Sequence, residues 1–276
     1  MLGSVGMSAP PITAIIGTGR MGRGLTAALE RAGHPVRLLG RDRPPDATRD
    51  ARLVLIAVPD DAIQTVADEL APGEAIGADQ VVLHLSGLLD RAALHPLVST
   101  GAGLGSFHPL QTVAEPATAP DLLRGAYAGL EGDERALAAG ERLAAVLGMR
   151  PVRLASGGKP AYHAGAVIAS NYAVALAAVA ERLARQAGVA AAEAGSLYLP
   201  LMRGTLANLA LGPAMALTGP IRRGDEATVR RHLAVLPAGE RRLYRELGLV
   251  TLELARKAGL PEPQAAAIER ALHEVG

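Results

Sequence analysis

The sequence predicts an α/β domain built on a mainly parallel sheet, followed by an all-helical domain. Three observations lead there. Short apolar runs alternate with amphipathic stretches as far as residue 156, a glycine-rich turn follows the first apolar run directly, and no strand-like run occurs after Ser156-Gly157-Gly158. The 276-residue length also exceeds the roughly 100 to 200 residues of one ordinary domain.

Taken in order, Ile12 to Ile16 is a strand stopped by Gly17, and residues 22–33 form a helix ending at Gly33. Strands are expected at Val36 to Leu39 and Leu53 to Val58, then an acidic turn, Pro59-Asp60-Asp61, and a helix from Ala62 to Leu70. A strand at Val81 to Leu85 precedes a loop that contains residues 105–112. It is followed by a strand near Tyr127 to Leu130, a helix from Glu134 to Leu147 and a strand near Pro151 to Leu154. Strands alternating with helices indicate a parallel sheet covered on both faces. Beyond it, residues 161–187, 190–210, 225–233, 238–257 and 262–274 read as helices, which places the domains at 1–156 and 157–276.

Composition excludes several classes. Hydrophobic residues at 49% and charged residues at 20% describe a chain that can offset its ordering entropy. A formal charge of +1, from 28 basic and 27 acidic residues, supplies no overall field for nucleic acid or an anionic membrane. With no Trp, one Phe and five Tyr, there is little to stack on single-stranded bases. The absence of Cys removes disulfides, thiolate nucleophiles and Cys-based metal sites, and suits a cytoplasmic protein. The first ten residues contain no Lys or Arg, which argues against a basic-fronted signal peptide, and Met7 is an alternative start. The Ala-rich stretch from Ala164 to Ala180 carries Ser170, Asn171 and Tyr172, and reads as a packed helix rather than a membrane span.

Gly17-Thr18-Gly19-Arg20-Met21-Gly22 is a GxGxxG that follows a predicted strand and opens a predicted helix. In that setting Gly17 allows the tight turn, Gly19 lets the backbone approach a pyrophosphate, and Gly22 permits close helix-to-strand packing. The helix N-terminus attracts the anion. This is a Rossmann dinucleotide fingerprint in a doubly wound sheet. About 20 residues on, where the ribose is met, stand Gly40-Arg41-Asp42-Arg43. Arg41 and Arg43 offer guanidinium groups to a 2′-phosphate and favour NADPH, whereas Asp42 taking the ribose diol would favour NADH.

Four clusters fall where strand ends or the domain junction converge. Val58 and Pro59, before Asp60-Asp61, lie at the nucleotide crevice, either touching cofactor or making a helix-capping turn. Ser86, in His84-Leu85-Ser86-Gly87, puts a hydroxyl beside the expected nicotinamide. His108, in Gly105-Ser106-Phe107-His108-Pro109, is held extended by the following proline. In Lys159-Pro160-Ala161-Tyr162-His163, Lys159 is one of only two lysines in the chain. An ammonium can release a proton as well as hydrogen-bond a carbonyl oxygen. His163 and Ser170 are spaced to share a helix face, with Asn171 adjoining.

Together GTGRMG, AVPDD, HLSG, GSFHPLQT, KPAYHAGAVIASNY and ALTGPIRRGD resemble a family of Rossmann-like NADP oxidoreductases with a helical second domain of unknown function. They are similar to ketopantoate reductases, pyrroline-5-carboxylate reductases and deazaflavin-dependent NADP reductases. The resemblance implies a helical domain like that of 6-phosphogluconate dehydrogenase, homodimerisation through it, and an NADP-linked reduction. Hydroxyacid dehydrogenase relatives carry Lys and Asn one turn apart, but here Val167 precedes Asn171, so Lys159 or His163 takes the acid's part. Arg222 or Arg223 can clamp a substrate carboxylate, and Asp225 can instead cap a helix.

The resulting expectation is an NADPH-dependent reductase of a small carboxylate-bearing carbonyl compound. Lys159 is the leading proton donor and His163 the second, with His108 next. Asn171 and Ser86 serve as hydrogen-bond partners and Arg223 as anchor. The alternatives are reduction of a cyclic imine and a dimeric redox sensor that binds NADPH without turnover.

Overall fold

The computed structural model describes residues 12–44 and 46–274, so the N-terminal decapeptide lies outside the described residues. The chain divides into two compact units, Met1–Asn171 and Tyr172–Gly276. In the first, β1 (Ile12–Ile16), α1 (Arg20–Arg31), β2 (Val36–Leu39), β3 (Ala51–Ile56), α2 (Asp60–Leu70) and β4 (Val81–His84) follow one another. A 3-10 segment (Arg91–Thr100), β5 (Gly103–Pro109), α3 (Ala119–Leu123), β6 (Tyr127–Gly132), α4 (Glu134–Val146), β7 (Arg150–Arg153) and α5 (Lys159–Ala169) complete it.

The strands form one seven-stranded sheet in the order β2-β1-β3-β4-β5-β6-β7. All neighbours are parallel except β5 and β6, which run antiparallel and pair His108 with Gly129. The expected parallel sheet is thus parallel-dominated. The strand order reverses at β1, flanked by β2 and β3, and such a switch point opens a ligand crevice beyond the strands' carboxyl ends.

Near-continuous apolar strands arise because both faces are covered. Ile15, Leu55, Leu83, Phe107 and Leu130 pack with α1, α3 and α4, while Ala14, Ile16, Val54, Ile56 and Val82 pack with α2 and the 3-10 segment. β5 is the element that the sequence hides, since residues 105–112 read as loop. Its glycine at position 105 is there for packing: a Cβ would lie 2.4 Å from the Glu131 carbonyl oxygen and 2.8 Å from the Ala136 methyl.

The expected single helix over 161–187 is two: α5 ends at Ser170 (φ −112°, ψ −69°) and α6 (Asn171–Gln186) begins after it. That break removes the regular helical register assumed for His163 and Ser170. Lys159–Gln186 is nonetheless the one stretch among the described residues long and apolar enough to cross a membrane. The 190–210 region likewise divides into α7 (Ala191–Leu197), α8 (Leu199–Asn208) and a short 3-10 turn. After α9 (Pro213–Ala216) come α10 (Pro220–Arg223), α11 (Glu226–Val235), α12 (Ala238–Lys257) and α13 (Glu262–His273). Val229, Leu233, Leu252, Ile268 and Leu272 form the core of this second unit, and Gly248 lets Leu272 approach α12. Asp225 caps α11, accepting from the Thr228 amide at 3.0 Å.

Candidate active site

The glycine turn has two closed positions and one open one. A Cβ on Gly17, whose φ is +121°, would lie 2.2 Å from the Ala57 carbonyl oxygen, and one on Gly22 would lie 2.0 Å from the Gly17 oxygen. Both glycines are required by the fold itself. Gly19 differs: its φ of −68° suits any residue, and a Cβ there would meet nothing within 4 Å. Neither backbone nor packing explains glycine at that position, whereas a phosphate group approaching the N-terminus of α1 does. Thr18, Gly19 and Arg20 are exposed, and Met21 packs inward on the core.

At the end of β2 the two arginines part company. Arg43 donates to Glu69 at 2.6 Å and has a side chain only 9% exposed, while Arg41 is exposed with no side-chain hydrogen bond among the described residues. Arg41 is therefore the guanidinium available to a 2′-phosphate. Val58 and Pro59 lead from β3 into α2 beside the glycine turn, with Val58 Cγ1 3.2 Å from the Cβ position of Gly17.

From there contacts run without interruption to a second group of polar side chains. Ser86 Oγ donates to Asp60 Oδ2 at 2.8 Å and accepts the Leu88 and Leu89 amides at 3.1 and 2.9 Å. Its hydroxyl is committed to the turn rather than free for a ligand. His84 is fully buried: its Nε2–H donates to the Asp90 carbonyl, and Nδ1 accepts the Ser86 amide. Lys159 is 1% exposed, and its Nζ donates to the Ser86 carbonyl oxygen at 2.6 Å and to Ser106 Oγ at 2.7 Å. Burial pulls Lys159 down to about 8, against the carboxylates of Glu131, Asp60 and Asp90.

Gly87 is the floor on which two imidazoles rest. A Cβ there would lie 2.6 Å from His163 Cδ2 and 2.9 Å from His108 Nε2, so any side chain would displace both. His108 and His163 are 6.0 Å apart between ring centres. His108 Nδ1 and Tyr162 Oη are hydrogen-bonded at 3.0 Å, the hydroxyl donating when the imidazole proton is on Nε2 and accepting when it is on Nδ1. Tyr162 in turn lies over Gly129, where a Cβ would come within 2.8 Å of its ring. Burial and then the Lys159 charge pull His108 down to about 4, and the same two causes pull His84 to about 4.

The two imidazoles and Tyr162 line a cleft of about 510 Å³, closed further along by Thr112, Ser170 and Asn171. Lys159, expected to be the leading proton donor, is not on its wall. Arg223 belongs to the second unit, where it is exposed, and Arg222 is held by the Ala258 carbonyl at 2.9 Å. Tyr162, Gly87, Gly129 and Ser106 had no assigned role in the sequence reading. A tyrosine three residues after Lys159, on the same helical face, was the available signal for the first.

The two lowered histidines set a pH dependence of stability. Their folded values near 4 lie below the ordinary 6.5, so the unfolded chain binds more protons between those values. Stability is full above pH 6.5 and declines as the pH falls toward 4. A tenfold change in proton affinity is worth about 1.4 kcal/mol, so buried His84 contributes on the order of 3 kcal/mol. Urea midpoints should drop between pH 7 and pH 4.5, and equal midpoints would contradict neutral burial.

Residues 126–251 match the family described as Domain of unknown function (DUF2520), and residues 40–109 match a Rossmann-like domain. No curated protein matches it in sequence. Among solved structures, protein TM1727 from Thermotoga maritima is 26% identical with a TM-score of 0.65, over 92% of this chain and 98% of that one. BF3122 from Bacteroides fragilis, provisionally described as an NADP oxidoreductase, is 20% identical with a TM-score of 0.67, over 90% and 98%. Plasmodium falciparum pyrroline carboxylate reductase, solved with NADP bound, shares 12% identity and a TM-score of 0.57 over 97% of each chain.

Proposed function

We propose that the chain is an NADPH-dependent reductase of small carbonyl compounds, with 2-oxo acids of the ketopantoate type as its first substrate class. One observation carries the reading. Within a single unit, a glycine turn left open at Gly19 connects through Ala57, Asp60 and Ser86 to Gly87, against which rest His108 and His163, two residues that line a cleft. The NADP-bound pyrroline carboxylate reductase that shares the fold supports the NADP-linked part of this reading.

The glycine turn and the α1 N-terminus would hold the pyrophosphate and Arg41 the 2′-phosphate. The bound nicotinamide would supply the hydride. In the tautomer protonated on Nε2, neutral His108 donates a hydrogen bond to the substrate heteroatom. A neutral imidazole with that role is a poor source of a full proton, so His163 delivers it to the developing alkoxide. Asn171 lines the same cleft and orients the substrate.

Reduction of a cyclic imine is the second reading, favoured by one feature: the cleft's lining residues include no Lys or Arg to hold a carboxylate. NADPH absorbance followed with a panel of 2-oxo acids and cyclic imines tests both. Oxidation with an oxo acid supports the first, oxidation with imines alone the second, and tight NADPH binding without any turnover leaves a redox sensor.

Cofactor choice rests on Arg41. Losing one charged hydrogen bond costs about 1.5 to 3 kcal/mol, so Arg41→Ala should weaken NADPH roughly tenfold or more and spare NADH. Calorimetric titration with both cofactors checks this, and equal losses would defeat the assignment.

Homodimerisation belongs to the same reading. Within the second unit Val174, Leu201, Leu206 and Leu211 are 71, 66, 64 and 68% exposed, large apolar side chains that water does not favour. Light scattering at micromolar concentration should return twice the 28.3 kDa chain mass, and the mass of one chain would contradict it.

A further inference from the structure

We propose that Lys159 is a positioning residue. Its ammonium pins the turn after β4 to β5, fixes Gly87 beneath His108 and His163, and sets a positive charge behind the His108 ring.

The geometry of α5 leads to this assignment. Lys159, Tyr162 and His163 stand at positions i, i+3 and i+4 of one helix, so they share a face. Tyr162 and His163 meet His108 and Gly87, while Lys159 reaches the buried Ser86 carbonyl and Ser106 hydroxyl. The lysine therefore locks the register of the helix that carries both aromatic groups. Its two acceptors come from different strands: Ser86 follows β4 and Ser106 lies within β5 two residues before His108. Loss of the ammonium would free the turn and the helix together.

Its charge acts separately from its hydrogen bonds. A cation in the first helical turn opposes the helix dipole, and burial adds to that cost. Asp60 from α2, Asp90 from the turn after β4 and Glu131 from β6 offset it. Around His108, Lys159 and His163 resist protonation, Asp60 favours it, and the Tyr162 hydroxyl is hydrogen-bonded to Nδ1. The Lys159 charge bears likewise on His84 in β4. An ammonium this enclosed, with no place on the cleft wall, works through His108 rather than on a substrate.

The kinetic part of the role rests on the reductase reading, and the protonation state of His108 does not. Imidazole nitrogen resonances of the full chain, followed against pH by NMR, should place the His108 midpoint near 4 in the unmodified protein. Lys159→Met should raise the proton affinity of His108 by up to roughly tenfold, the effect of removing one nearby charge in a partly buried site, with burial still holding the midpoint below its ordinary value. It should also lower kcat by roughly ten- to a hundredfold with NADPH affinity unchanged. Ser106→Ala keeps the charge while removing one anchor, so the His108 midpoint should stay and kcat should fall less.

A His108 midpoint near 6.5 in the unmodified protein overturns the proposal, even if Lys159→Met does not fold. So does a Lys159→Met protein whose kcat and His108 midpoint both stay at their normal values, because neither the pinning nor the charge then acts on the site. Absence of turnover by the unmodified protein overturns the reductase reading, and the His108 titrations then decide the positioning role alone.

Discussion

Replacing His163 with alanine is expected to lower kcat by about 10² to 10⁴ while leaving NADPH affinity intact. Among the titratable groups gathered at the cleft it is the one whose side chain makes no hydrogen bond within the described residues. Lys159 is buried and committed to Ser86 and Ser106, and His108 is held neutral with Tyr162 on Nδ1. The His163 ring instead lies against Gly87 on the cleft wall, at the turn that ends β4. It is half-buried and has no structural hydrogen bond among the described residues, so truncation should leave the fold standing. The measurement is steady-state kinetics with the best carbonyl substrate alongside an NADPH titration. A variant with near-normal kcat would move the acid elsewhere, or mark an imine substrate that arrives already protonated.

Much of this architecture was legible because burial on both sheet faces writes itself as apolar runs. β1 and β2 match the expected limits residue for residue, and Gly33, with φ +68°, ends the helical region as its sequence indicates. β5 was not legible. Its residues are buried like those of its neighbours, but two of them are glycines, Gly105 admitting Ala136 and the β6 backbone and Gly103 admitting the Arg135 side chain, and Ser106 and His108 are polar. A strand that gives up side chains to packing and chemistry loses the pattern that would announce it.

The site shows the same division. Lys159 stood out through rarity, and its neighbourhood with Tyr162 and His163 follows from helical spacing. Its partners could not be read, because one is a backbone carbonyl 73 residues away and the other a serine 53 residues away. The same holds for Tyr162 and His108, separated by 54 residues and brought together only by the antiparallel β5–β6 pairing that sets Gly129 beneath the ring. Local spacing reports which groups share an element, and topology decides which elements meet.

The glycine turn allows fold and ligand binding to be separated by single methyl groups. Gly19→Ala is expected to leave thermal stability of the free protein at its normal value, since the backbone there suits alanine and nothing lies within 4 Å. NADPH affinity should nonetheless fall by about tenfold or more, because the new methyl stands where a pyrophosphate must approach the α1 N-terminus. Gly17→Ala and Gly22→Ala should behave in the opposite order. Their added carbons would lie 2.2 and 2.0 Å from backbone oxygens that cannot yield, and Gly17 carries a φ of +121° besides. Each should cost roughly 3 kcal/mol or more in stability before cofactor is added. Melting curves with and without NADPH distinguish the two cases. If Gly19→Ala keeps its normal NADPH-dependent stabilisation, no phosphate crosses Gly19 and the turn is a packing device alone.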